Sequence, residues 1–150
     1  MRRAFLAVLL AAACCATASA QQKGQLGLGV LIGDPMAASA KYFFTERDAV
    51  DLGIGISGDV TFIADYVWHG WGLLPQPKRG PLALTFSAGP RLELHDQADF
   101  GIRTMAGLSY WPKLKRVAEF YCELGPVTRL TPDVRVRVDG GVGVRVYFTP

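Results

Sequence analysis

The chain has 150 residues, enough for one domain. Half of the residues are hydrophobic, and 16 Lys and Arg stand against 13 Asp and Glu. Two of the basic residues, Arg2 and Arg3, belong to an N-terminal signal described below. Without them 14 basic residues face the 13 acidic ones, a net charge of +1. A charge so close to zero, with no dense basic cluster, argues against a nucleic-acid partner.

The first twenty residues have the pattern of a secretory signal peptide. Two arginines precede an apolar stretch over 5–13, and small residues at 18–20 offer a cleavage site between Ala20 and Gln21. The apolar stretch is too short for a membrane-spanning helix. We therefore expect residues 1–20 to be removed on export, and residues 21–150 to form one barrel domain.

Three cysteines constrain the mature chain. Cys14 and Cys15 fall inside the signal, where a lipoprotein signal is a minor alternative because alanines precede them. Cys122 then remains alone, so no internal disulfide is possible in the mature chain. With no metal-ligand spacing around it, Cys122 is interpreted as a small apolar residue.

After residue 20 the chain is predicted to be all β, because apolar and polar residues alternate with period two. Turn residues such as Asp34-Pro35 separate the alternating segments, and the longest break, 69–81, contains three prolines. Most segments reach about nine residues, the length that a tilted strand needs to cross a bilayer. The pattern predicts a single eight-stranded antiparallel up-and-down transmembrane β-barrel. Its strands are expected at 25–33, 36–45, 49–57, 60–69, 82–95, 100–111, 117–130 and 134–148.

Two glycine–proline pairs interrupt these strands, at Gly89-Pro90 and Gly125-Pro126. Because proline cannot donate a hydrogen bond to a neighbouring strand, both pairs are predicted to form β-bulges.

The charged residues of the polar face indicate which face of the barrel lies inside. A soluble ligand-binding barrel has its apolar face inside, and a membrane barrel has it outside against lipid. The charged residues here are nearly self-neutralising, and most of the basic ones are Arg, whose fork of donors suits carboxylates in a confined space. We predict an interior charge network of Lys41, Asp51, Asp65, Arg91, Glu93, Arg103, Glu119, Glu123, Arg129, Arg135, Arg137, Asp139 and Arg145.

Aromatic residues are concentrated where even-numbered strands end and odd-numbered strands begin, which is one rim of an up-and-down barrel. A girdle of aromatic side chains at a membrane interface explains this clustering. The predicted girdle consists of Tyr42, Phe44, Tyr66, Trp68, Trp71, Tyr110, Trp111, Phe120 and Phe148.

The C-terminus resembles the terminal strand signal of bacterial outer-membrane barrels, with a glycine, alternating apolar residues and an aromatic over 143–148. Together with Gly33-Asp34-Pro35, Lys41-Tyr42-Phe43, Gly125-Pro126 and Leu130-Thr131-Pro132, it makes the chain similar to eight-stranded barrels of the OmpA membrane-domain type. The chain looks still more like a group of short outer-membrane barrels of unknown function. The resemblance implies a monomer in the bacterial outer membrane, with lipid around it and the barrel assembly machinery acting on its C-terminal strand.

Catalytic and cofactor sites are not predicted. The glycines of 53–58 match a dinucleotide fingerprint, but a strand follows them where that motif needs a helix, so no cofactor is expected. Ser87 and His95 would lie about 26 Å apart along one strand, and no metal-ligand cluster stands out. We expect a non-catalytic protein with a structural or binding role. Two alternatives are a soluble periplasmic barrel that binds an apolar ligand, and a barrel enzyme acting on membrane lipid, which would need a Ser–His contact.

Overall fold

Eight antiparallel strands close into one barrel in the computed structural model, which describes residues 23–55, 59–95, 98–113 and 118–148. Each strand pairs with its neighbours in the chain, and β1 closes the barrel against β8. The strands are β1 (Leu26–Asp34), β2 (Ala37–Phe43), β3 (Asp48–Gly55), β4 (Val60–Trp71), β5 (Leu82–Leu94), β6 (Ala98–Tyr110), β7 (Ala118–Thr131) and β8 (Arg135–Phe148).

The all-β class, the eight strands and their up-and-down order are confirmed, with strand ends close to the predicted ones. No helix among the described residues is both long and apolar enough to cross a membrane. The predicted signal and its cleavage site at Ala20 and Gln21 lie outside the described residues.

Residue parity marks the two faces of the barrel. Nearly every pair in the eight registers joins two even-numbered or two odd-numbered residues, such as Leu26 with Tyr42 and Lys41 with Asp51. Because successive side chains of a strand point to opposite faces, this register puts even-numbered side chains outside and odd-numbered ones inside. Leu52 is half exposed on the outer face, and its neighbour in the chain, Gly53, is buried.

The bulges predicted at Gly89-Pro90 and Gly125-Pro126 are wrong. β5 keeps one register against β4 on both sides of Gly89, and β7 keeps one register against β8 through Gly125. Among the described pairings, a register shift occurs between Phe100 and Gly101 of β6.

Close approach of neighbouring backbones explains why glycine precedes each proline. A Cβ atom on Gly89 would lie 2.0 Å from the carbonyl oxygen of Ala64, and one on Gly125 would lie 2.0 Å from that of Thr104. The neighbouring strand therefore fills the space that a side chain would need, and the register continues without an inserted residue.

The barrel has two unlike ends. The N-terminal rim holds the starts of the odd-numbered strands and the connections 44–47 and 72–81 together with residues 111–113, and the opposite rim holds the short turns 35–36 and 132–134. β5 to β8 have 13 or 14 residues each, whereas β1 to β3 have 7 to 9. The longer strands extend past β1 at the opposite rim, so that β8 pairs with β1 only from Gly140 onward.

Candidate functional site in the barrel interior

Glu119 is fully buried in the lumen and accepts contacts from four side chains. Its Oε1 atom lies 3.0 Å from Nζ of Lys41 and accepts a 2.7 Å hydrogen bond from Ser109. Its Oε2 atom accepts hydrogen bonds from Tyr147 at 2.6 Å and from Arg145 at 3.2 Å. Charge-assisted bonds of this kind are the strong ones, so Glu119 ties together four strands of the barrel.

Arg145 joins Glu119 to the next carboxylate along the lumen. Its Nη2 atom forms an ion pair with Asp51, and its Nε atom donates to Ser39 at 2.8 Å. Ser39 in turn donates to Asp51 at 2.8 Å, and the guanidinium carbon lies 3.7 Å from the ring centre of Tyr121. Each nitrogen of the Arg145 guanidinium therefore has a partner, and an aromatic ring covers one face of the group.

A second cluster continues the network toward the opposite rim. The guanidinium of Arg103 lies between two carboxylates, with Nε 3.4 Å from Asp65 and Nη2 2.5 Å from Glu123. Arg103 and Asp65 are buried and Glu123 is half-buried. The lumen thus carries alternating charges along its axis.

Two arginines and two carboxylates alternate where the lumen opens at the opposite rim. Arg91 pairs with Asp139 and lies 3.0 Å from Glu93. Arg137 lies 2.7 Å from Glu93 and 3.2 Å from Asp139. Arg137 is partly exposed, so this third cluster forms the boundary between the lumen and the surface.

The predicted interior charge network is wrong for Arg135. It includes Arg129 but not the two residues that Arg129 contacts. Arg135 is 73% exposed, and its described ion pair joins it to the turn residue Asp133 at 2.7 Å, at the exposed tip where β7 turns into β8. Arg129 pairs with Asp133 and with the buried Asp99 at 2.5 Å. The sequence pattern leaves Asp99 in a turn, but β6 already begins at Ala98.

Aromatic side chains close the lumen at the N-terminal rim. Phe43, His69, Trp71, Trp111 and Tyr147 are all buried, and the Trp71 and Trp111 ring centres lie 4.8 Å apart. His69 contacts the rings of Phe43, Trp71 and Trp111, and its Nδ1 lies 2.9 Å from the carbonyl oxygen of Arg47. We call these five residues the aromatic plug.

The predicted aromatic girdle is therefore wrong for Trp71 and Trp111, which lie inside the barrel. Both have odd numbers and face inward, and the Trp71 indole N–H donates to the carbonyl oxygen of Glu46 at 2.8 Å. Their parity is the signal that could have placed them inside. The other girdle residues lie toward the outer face near this rim: Tyr42, Phe44, Tyr66, Trp68, Tyr110, Phe120 and Phe148.

Little space is left inside the barrel. Cavities beside Lys41 and beside Arg103 measure about 10 and 20 Å³, roughly the space of one water molecule. A larger cavity of about 250 Å³ opens at the opposite rim, between Arg91, Arg129 and Arg137. Within the described part of the chain, the middle of the lumen is filled by side chains.

One group of possible metal ligands does not follow from the sequence pattern. Asp59, Glu93 and His95 bring ligand atoms within 4.8 Å of one another at the opposite rim. Two of the three are exposed, and Glu93 already accepts contacts from Arg91 and Arg137. The geometry by itself does not assign a metal to this group.

No family model and no curated protein matches the chain. Among solved structures, it is similar to the crystal structure of the N-terminal β-barrel domain of OprF from Pseudomonas aeruginosa, with a TM-score of 0.63 and 19% identity. The similarity covers 85% of this chain and all of that domain. It shows a shared fold, which confirms the small eight-stranded barrel that the sequence resemblance implied.

Proposed function

We propose that the protein is a monomeric outer-membrane barrel that spans the bilayer, does not conduct, and has a structural or binding role. Its N-terminal rim would face the periplasm, and the barrel assembly machinery would act on β8, which ends at the exposed Phe148. The observation that carries the proposal is that the charged face of the barrel points inward and the apolar face points outward, the opposite of a soluble barrel. Charged side chains such as Glu119 and Arg145 are buried, while large apolar side chains on every strand are exposed.

The outer surface supports a lipid environment. Leu28, Leu52, Ile54, Ile102 and Leu124 are between 47% and 64% exposed, on strands all around the barrel. Soluble monomers rarely expose a continuous apolar surface of this extent, whereas a bilayer would cover it. The girdle residues would then lie at one membrane interface.

The soluble alternative has less support, because it needs an apolar interior. Phe86 and Val136 point outward, and the lumen is charged. The lipid-enzyme alternative needs a serine beside a histidine. The described hydrogen bonds of Ser39 and Ser109 go instead to the carboxylates of Asp51 and Glu119, and to Arg145. We therefore propose a role without catalysis.

Leu52→Arg is expected to lower the free energy of unfolding in lipid vesicles by about 2–4 kcal/mol, because Leu52 lies mid-strand on the apolar face. Denaturant titration of the refolded barrel measures the change. Val134→Arg is the control, since Val134 lies in a turn at the opposite rim and is 71% exposed. Equal, small effects of the two substitutions would contradict the membrane proposal.

The purified barrel is expected to show no steady single-channel conductance in a planar bilayer. Eight strands enclose an interior only just wide enough for side chains, and here Glu119, Arg145 and Arg103 occupy it. A folded sample is identified by its heat-modifiable migration on a gel. Steady conductance by such a sample would contradict the closed lumen and leave the barrel itself in place.

A further inference from the structure

The two rims carry opposite charges in their connections. At the N-terminal rim the exposed cations Lys23, Arg47, Lys78, Arg79 and Lys113 outnumber the carboxylates of Glu46 and Asp48, five to two, a net of +3. Among the described residues of the opposite rim, the exposed aspartates Asp34, Asp59 and Asp133 outnumber the exposed cations Arg135 and Arg137, three to two, a net of −1. Such a separation gives each end of the barrel its own preference for ions and surfaces.

Backbone pairing places Arg79 opposite Lys113, and Lys78 precedes Arg79 in the chain. The N–H of Trp111 donates to Pro81 at 3.0 Å, and the N–H of Lys113 donates to Arg79 at 2.9 Å, so the β5–β6 ladder continues past the strands. A Cβ atom on Gly80 would lie 2.1 Å from the carbonyl oxygen of Trp111, so glycine is required for this approach. Lys78, Arg79 and Lys113 therefore occupy adjoining backbone positions at this rim, and we call them the basic cluster.

Side-chain hydrogen bonds fix the connection that carries Lys78 and Arg79. The Gln76 amide donates to the carbonyl oxygens of Leu74 and Leu82, each at 2.9 Å, and its oxygen accepts the N–H of Leu82 at 2.9 Å. The segment before the basic cluster is thus tied to the start of β5.

The connection that carries Lys78 and Arg79 also carries an exposed apolar side chain. Leu73 is 56% exposed, and its Cδ1 lies 2.4 Å from the position of a Cβ on Gly70, next to the Trp68 ring. The rings of Trp68 and Phe86 stack with their centres 6.1 Å apart. The connection 72–81 therefore carries an apolar group beside Trp68 of β4 and, five positions further along the chain, the first cation of the basic cluster.

We propose that the basic cluster, together with Leu73 and Trp68, binds anionic phospholipids of the leaflet that the N-terminal rim faces. A phospholipid offers both required chemistries, acyl chains for Leu73 and Trp68 and a phosphate for Lys78 and Arg79. An anionic cell-wall polymer would match only the cations. Each Lys or Arg near an anionic bilayer surface strengthens the association of a protein with that surface about fivefold. The inference rests on the proposed membrane span.

Quenching of tryptophan fluorescence by brominated lipid tests this site. Trp68 lies toward the outer face, whereas Trp71 and Trp111 are buried in the lumen, so lipid-borne bromine reports mainly on Trp68. The barrel is refolded in phosphatidylcholine vesicles that contain a minor share of either brominated phosphatidylglycerol or brominated phosphatidylcholine. The native protein should favour the anionic lipid several-fold, and salt at about 1 M should remove that preference, since the screening length then falls to about 3 Å.

The association constant for phosphatidylglycerol relative to phosphatidylcholine should fall close to one in the triple variant, which combines Lys78→Gln, Arg79→Gln and Lys113→Gln. Lys78→Gln alone should lower it part of the way, less than the triple substitution does. Arg135→Gln is the matched control, because it removes one exposed cation at the opposite rim and should leave the constant unchanged.

Failure of the two proposals can be told apart. If the barrel does not gain heat-modifiable migration in pure phosphatidylcholine, the membrane span itself is wrong. If it folds there but both brominated lipids quench equally, or if the preference survives high salt, the lipid site is overturned while the barrel proposal stands. In that case the cations are a hydrated rim or contact another anionic polymer.

Discussion

Replacing Glu119 with alanine is expected to lower the free energy of unfolding by about 3–5 kcal/mol. The substitution leaves Lys41 without its carboxylate partner in a fully buried position and removes one of the two carboxylate partners of Arg145. Ser109 and Tyr147 lose their acceptors as well. Denaturant titration of the barrel refolded in lipid vesicles measures the loss.

A matched substitution at an exposed carboxylate shows how much of the stability loss at Glu119 comes from burial and how much from the mere removal of a charge. Glu46→Ala removes a carboxylate from an exposed turn and should change stability by less than about 0.5 kcal/mol. Glu119→Leu combined with Lys41→Met should cost less than the sum of the two single changes, because neither charge is then left unpaired. Two results would show that the contacts of Glu119 do not stabilise the barrel. One is that the changes in unfolding free energy at Glu119 and Lys41 add strictly, and the other is that the loss at Glu119 is no larger than the loss at Glu46.

Gly125→Ala is expected to destabilise the barrel by about 1–3 kcal/mol, although it adds only one methyl group. The new Cβ atom would lie 2.0 Å from the carbonyl oxygen of Thr104 and 2.8 Å from Cα of Met105, both backbone atoms of β6. The strands must separate to make room, which weakens their ladder next to Pro126. Equilibrium unfolding in vesicles or detergent micelles reports the change.

Gly53→Ala is the control, because it makes the same chemical change where space exists. The nearest atom to its Cβ would be Cβ of Ile63 at 3.4 Å, an ordinary contact. This substitution should be neutral or stabilise the protein by about 0.4–1 kcal/mol, since alanine restricts the unfolded chain. Equal effects at Gly53 and Gly125 would mean that the close approach of β6 and β7 is not a real constraint.

Local sequence patterns predict much of the candidate site. Continuing the alternation puts Lys41, Glu119 and Arg145 on one face, because parity alone decides the side of a strand. Trp71 and Trp111 are misassigned when they are placed by the rim they occupy, whereas counting from His69 and Ser109 puts both of them inside. The predicted bulges fail for a related reason, since a Gly-Pro pair does not reveal how closely the next strand passes.

The sequence by itself determined the class of the fold, the number and order of its strands, and the face on which most of the charges lie. These follow from period-two alternation and turn residues, which are local properties of the chain. Only the tertiary structure decided which charges meet. Arg145 contacts Ser39, 106 positions away, and Arg129 contacts Asp99 rather than a predicted partner. Such contacts depend on the stagger between strands and on the extension of β5 to β8 past β1, which are fixed only when the barrel closes.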